Sequence, residues 1–238
     1  MSKKLSIGFA ILLGTQIAVA DDLGWQGEGE LGFTNTSGNT ETESLLAKLS
    51  LGYKQTSWEH NLKFEALRAE DNKKLTAERY GANLQSDYKM SKHSYLFGKL
   101  RYEEDHFSSY DYQGSFILGY GNHVIDTERT SLKLEIGAGV NKNELELDNV
   151  TTQSQEQAVA YAGLNFSQKI GTHSEFTQDI RVEGGEDNVY TESDTGFKVN
   201  IMENLAMKLS VLVKHNSEVA AEKKKTDTVT AVTVVYGF

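Results

Sequence analysis

The chain has no cysteine and no proline in 238 residues. Without cysteine there is no disulfide framework, no thiolate nucleophile and no cysteine-based metal site. Proline averages roughly 5% of residues. Its absence suits a chain of paired strands, where it would remove a donor from the ladder. Long apolar runs are also missing. Hydrophobic residues make up only 38% of the chain, and after the first twenty positions none form a run long enough for a membrane helix. A spanning barrel remains compatible with this, because its strands alternate apolar and polar residues. There is no excess of positive charge: 24 Lys+Arg stand against 34 Asp+Glu, a net of −10. An acidic chain without a basic stripe does not expect nucleic acid as a partner. No phosphate-cradling glycine loop occurs. His60, His93, His106, His123 and His173 are scattered without metal-ligand spacing. No cofactor and no metal are expected.

What is present begins with an export signal. "MSKK" is a basic start, "LSIGFAILLG" a short apolar stretch, and Ala18-Val19-Ala20 a small-x-small cleavage site. The expected organisation is a cleaved signal peptide over 1–20 and one domain over 21–238. Loss of Lys3 and Lys4 would leave 22 basic residues against 34 acidic ones, a charge of 22 − 34 = −12.

Beyond residue 20 strict alternation recurs and the helical period fails. "LLAKLSLGY" sets Leu45, Ala47, Leu49, Leu51 and Tyr53 against Leu46, Lys48, Ser50 and Gly52. "LKLEIGAGV" and "LAMKLSVLV" behave likewise. About twelve strands are expected, near 24–34, 43–54, 58–68, 77–89, 94–104, 112–123, 130–140, 156–168, 174–183, 190–201, 205–216 and 226–238. Most reach the 9–11 residues that a tilted strand needs to cross a bilayer. The connections after even-numbered strands are short. Those after odd-numbered strands read as longer and polar, for example "AEDNKKLT" and "NKNELELDNVTTQSQ". Outer-membrane barrels show this asymmetry, with short periplasmic turns and longer extracellular loops. The expected fold is therefore all-β: a transmembrane antiparallel β-barrel.

One parity carries Leu, Val, Ile, Ala and Phe, with Tyr53, Trp58, Tyr88, Tyr102, Tyr120 and Tyr236 near strand ends, as an interfacial girdle requires. The other is rich in glycine and charge. Its acidic members are Glu28, Glu30, Glu65, Asp87, Glu135, Asp179 and Asp194. Its basic members are Lys48, Lys63, Arg79, Lys99, Arg101, Lys133, Arg181, Lys198 and Lys208. Interleaved signs facing a lumen imply ion-pair networks that narrow or close it, because unpaired charges in a dry bore are costly. The chain ends in mid-pattern on Tyr236 and Phe238. A barrel must pair its last strand with its first, and an aromatic ending resembles the signal read by the barrel-assembly machinery.

Two stretches go further. They are "WQGEGELGFTNTSGNTETESLLAKLSLGYKQTSWEHNLKFEA" and "YLFGKLRYEEDHFSSYDYQGSFILGYGNHVIDTERTSLKLEIGAGV". Both resemble the YdiY-like family of outer-membrane proteins described as salt-induced, a domain-of-unknown-function family. Thr34 to Thr40 and Tyr110 to Tyr112 are the most specific parts. The resemblance implies an outer-membrane barrel and carries over no catalytic residues. Ser37-Gly38-Asn39-Thr40 also reads as a tight turn, since glycine and asparagine tolerate positive φ.

His215-Asn216-Ser217 resembles the outer-membrane phospholipase A arrangement, in which a histidine activates a serine. The continuation Glu218-Val219 departs from that family, so no catalytic residue is assigned. Acidic groups at Glu103-Glu104-Asp105, Glu144/Glu146/Asp148 and Glu186-Asp187 could share divalent cations with lipopolysaccharide phosphates. The expected partners are membrane lipid, lipopolysaccharide and the assembly machinery; the oligomeric state is open. The first functional reading is a narrow channel or structural barrel linked to envelope stress. The alternatives are a lipid esterase using His215 and Ser217, or a soluble periplasmic barrel holding a small apolar ligand.

Overall fold

The computed structural model describes residues 23–37, 42–71, 74–146, 152–220 and 223–238. The expected signal peptide lies outside them, as do Gly38, Asn39 and Thr40 of the expected tight turn. Twelve strands are present. The first six are β1 (Gly24–Ser37), β2 (Thr42–Lys54), β3 (Trp58–Asp71), β4 (Lys74–Lys89), β5 (Ser94–Asp105) and β6 (Tyr110–Asp126). The others are β7 (Thr130–Glu146), β8 (Thr152–Ile170), β9 (Ser174–Gly184), β10 (Val189–Met202), β11 (Leu205–Asn216) and β12 (Thr226–Gly237). They form one closed barrel in sequence order, every neighbour antiparallel, with β12 returning to β1.

The seam is sealed to the last residue. Gly27 N donates to Phe238 O at 2.7 Å, and Phe238 N donates to Gly27 O at 2.9 Å. The ring of Phe238 lies where a Cβ on residue 27 would be, which only glycine permits. Closure leaves no unpaired edge, the condition for a sheet to cross hydrocarbon.

Alternation sorts the side chains as the pleat dictates. Outward lie Leu49, Phe64, Leu100, Leu118, Leu134, Ile136, Leu209 and Val234, with Ile136 65% exposed. Inward on the same strands lie Glu135, Ile117 and Val235, all buried. Aromatic pairs mark the end bearing the chain's last residue: Trp25 and Tyr53 rings are 4.7 Å apart, Trp58 and Tyr88 5.1 Å, Tyr236 and Phe238 6.4 Å. Tyr80 and Tyr102 sit outward toward the opposite end, where Tyr102 stacks on Tyr112 at 6.3 Å. Tyr120 also faces out, nearer the middle.

The two ends differ. At the turn end the connections are 55–57, 90–93, 127–129, 171–173 and 203–204. At the loop end the longest is 217–225. Strands run further toward that end than alternation suggested. Most of 69–76 and 141–155, read as connections, is strand. Backbone pairing continues there past the apolar belt. With both faces polar, nothing in the side-chain pattern marks it.

Candidate functional site

The lumen is the site, and all sixteen charged residues read onto the inner parity point into it. Near the turn end Lys198 on β10 lies 3.2 Å from Glu28 and 3.4 Å from Glu175. Lys208 lies 2.9 Å from Glu30 across the β11–β1 gap. Asp87 accepts from Gln85 at 2.9 Å and Asp179 from Asn165 at 2.8 Å. Lys63 and Lys133 line the same cavity, of about 580 Å³, which includes Gln26, Glu59 and Ser131 at the strand ends.

A second cavity of about 250 Å³ continues from the first, sharing Lys63, Asn61 and Asp179. Around it charges alternate in sign. Lys48 lies 3.1 Å from Glu65 and 3.8 Å from Asp194. Arg79 donates to the same Glu65 at 2.5 Å. Arg181 lies 2.9 Å from Glu192, and its guanidinium stacks over the ring of Tyr190, as does that of Arg101 from the other strand. Lys99 donates to Glu135 at 2.9 Å and to Tyr161. Opposite charges placed this way spare each ion the several kcal/mol of an unpaired burial.

Several contacts cross the bore rather than run along the wall. Lys214 on β11 reaches Glu103 on β5 at 2.5 Å, and those strands are six apart in a ring of twelve. Arg101 on β5 lies 3.5 Å from Glu183 on β9. Beside this bridge Leu46, Leu67, Leu212, Val229 and Ala231 form an apolar cluster inside the barrel. On the facing wall Tyr95, Phe97, Ile117, Val159 and Tyr161 form another. The bore is therefore not lined by charge alone.

Above the bridges the described parts of the β11–β12 connection, 217–220 and 223–225, lie at the mouth. Lys223 Nζ donates to the carbonyls of Phe107 and Ser108, at 3.1 and 3.2 Å. Tyr110 donates to the carbonyl of Glu218 at 3.0 Å. The hairpins β5–β6 and β11–β12 face each other across the ring, so these contacts tie opposite sides of the mouth together. Glu218 N and Ser217 Oγ both donate to Asn188 Oδ1, at 3.2 and 3.3 Å, tying in a third connection.

Residues missed by the sequence reading include Glu183, Glu192 and Lys214, all on the inner parity. Glu103, which its Glu103-Glu104-Asp105 neighbourhood places in an external acidic group, has its side chain inside the bore. Parity with Arg101 was the signal for its position. Elsewhere in those groups Glu104 faces His106 at 3.3 Å, Asp105 caps Phe107 N at 3.0 Å, and Glu144 accepts from Thr152 at 2.7 Å. The side chains of Glu146 and Asp148 lie outside the described residues. His215 Nδ1 lies 2.8 Å from Thr226 Oγ1, whereas Ser217 Oγ accepts from Val189 N at 2.8 Å. Each has its own partner in this structure.

The fold has known counterparts. The NanC porin superposes with a TM-score of 0.59 at 9% identity, covering 87% of this chain and 98% of that one. The translocator domain of the autotransporter NalP from Neisseria meningitidis gives 0.53 at 12%, covering 92% and 90%. At these identities the likeness is one of fold: a closed barrel of the outer-membrane type. The uncharacterised protein YdiY of Escherichia coli (strain K12) is 28% identical over 196 residues, 82% of this chain and 75% of the relative. The model of the family described as "Protein of unknown function, DUF481" matches residues 29–238, and the chain belongs to that family.

Proposed function

We propose that the chain resides in the outer membrane as a narrow channel whose resting lumen is shut on its loop side. The observation that carries this is the Lys214–Glu103 bridge, which spans the bore above a cavity reaching the turn end. An apolar outer belt with aromatic flanks favours hydrocarbon outside, and paired charges within favour a hydrated, constricted pathway. In this reading the turn end faces the periplasm, and the loop end meets lipopolysaccharide. Tyr236 and Phe238 serve as the assembly signal. A salt-linked role in the envelope, implied by the resemblance to salt-induced proteins, fits a constriction made of ion pairs, since ionic strength weakens them.

The test is conductance of the refolded chain in planar bilayers. Wild type is expected to be largely silent at low salt, with openings that become more frequent as KCl rises. Lys214→Met with Glu103→Gln removes the bridge without leaving a lone charge, and should give a larger steady conductance. A correctly inserted double variant that stays silent overturns the channel and leaves a structural role.

A further inference from the structure

Most charges that line the bore have a partner. Lys198 holds Glu28 and Glu175, Lys208 holds Glu30, Lys99 holds Glu135, and Lys48 lies between Glu65 and Asp194. Asp87 and Lys133 lie near enough to attract each other. Two charges stand apart. Lys63 on β3 makes no ion pair among the described residues. Asp179 on β9 accepts a hydrogen bond from Asn165 at 2.8 Å, but it too has no cation at ion-pairing distance among them.

These two stand where there is room. Both line the turn-end cavity of about 580 Å³ and the cavity of about 250 Å³ that continues it. The first alone falls within the range of small-molecule sites, about 300–1,000 Å³. Strands β3 and β9 are six apart in the ring of twelve, so an ammonium and a carboxylate face one space from opposite walls. Lys63 is exposed to it and Asp179 is half-buried. Each has the same escort. Pairing sets Ser50 opposite Lys63 and Asn165 opposite Asp179, while Asn61 and Thr177 are their next inward neighbours along the strand. All four also line both cavities.

The chemistry selects the occupant. A cation would answer Asp179 alone and an anion Lys63 alone, and each would leave the facing charge unmatched. A solute with an ammonium at one end and a carboxylate at the other answers both. The amides and hydroxyls beside the two charges both give and take hydrogen bonds, which suits a polar segment between the ends. We propose that the junction of the two cavities is a binding site for a small zwitterion with separated charges, such as a short peptide, its ammonium toward Asp179 and its carboxylate toward Lys63. The cavity reaches the turn end, so binding does not require passage through the bore and goes beyond the channel proposed above.

The test is calorimetric titration of the full barrel refolded in detergent, at low ionic strength so that the charges are not screened. Triglycine carries both end charges. N-acetyltriglycine keeps only the carboxylate, and triglycine amide only the ammonium. Triglycine is expected to bind saturably, and each blocked peptide about tenfold more weakly, as loss of one charge-assisted contact implies. Two variants locate the ends. Lys63→Met should bind triglycine and its amide alike, and Asp179→Asn should bind triglycine and its N-acetyl form alike. Neither residue is ion-paired, so neither change breaks a bridge, and the heat-resistant folded band checks that each barrel is intact. Heats without saturation, a blocked peptide that binds as tightly as triglycine, or variants that keep the wild-type preferences overturn the proposal. Conductance plays no part in this readout, so the two proposals fail separately.

Discussion

Glu135 on β7 accepts the ammonium of Lys99 on β5 at 2.9 Å, two strands away and inside the bore. The same carboxylate accepts from Gln85 at 2.7 Å, Tyr95 at 2.9 Å and Tyr161 at 3.0 Å. Four strands thus meet on one buried group. Glu135→Leu would strand a buried cation and two phenols, and should cost about 3–5 kcal/mol, the range for breaking a buried pair. Glu135→Gln keeps the shape and one acceptor and should cost less. Unfolding midpoints in guanidinium, measured on the refolded barrel, order the three proteins.

The solvent of the outer face is testable at Ile136. Its side chain is 65% exposed and flanked by Leu118 and Leu134 on the outward parity. On a water-facing surface Ile136→Arg would change stability by no more than about 0.5 kcal/mol. In a bilayer the same change should cost about 2–4 kcal/mol. Equilibrium refolding into lipid vesicles separates the two.

Two glycines, Gly139 on the inner face and Gly29 on the outer, predict opposite tolerance to one methyl group. A Cβ on Gly139 would overlap the backbone oxygen of Phe116 and lie 2.8 Å from Ile117 Cα. Around Gly29 nothing lies within 4 Å of such a Cβ. Because backbone cannot step aside as a side chain can, Gly139→Ala should destabilise by about 1–3 kcal/mol or more, with Gly29→Ala close to neutral. Heat resistance of the folded band on gels reads the difference.

Deleting Phe238 removes both hydrogen bonds that it makes with Gly27 and its ring contact with Tyr236. Folded yield and refolding rate should fall. Phe238→Ala retains the backbone bonds and should fold faster than the deletion. Equal rates for the two variants would assign the whole effect to the ring.

Alternation made the strands legible because the pleat forces it wherever one face meets an apolar medium and the other does not. The signal fades where that contrast ends. Along β7, Leu134 and Ile136 oppose Lys133 and Glu135 clearly, but further on Lys142 and Glu144 oppose Asn141 and Asn143. Both sets are polar there, so the strand's extension to Glu146 left no trace in hydropathy. The inner charges were readable by parity. Their partners were not, because Lys214 and Glu103 are brought together by the curvature of the ring and not by neighbourhood in sequence. Leu46, Leu67 and Leu212 carried a signal that was available: each breaks its strand's pattern by placing leucine on the polar side.

The strap residues 217–220 and 223–225 belong to the last hairpin in the sequence, β11–β12. Its anchors at Phe107, Ser108 and Tyr110 belong to the β5–β6 hairpin, made earlier. The lid cannot be seated until β11 and β12 have arrived opposite them, the same moment at which the cylinder can close on β1. Capping the mouth and completing the wall are thereby coupled in time, and a half-built sheet is never a sealed vessel.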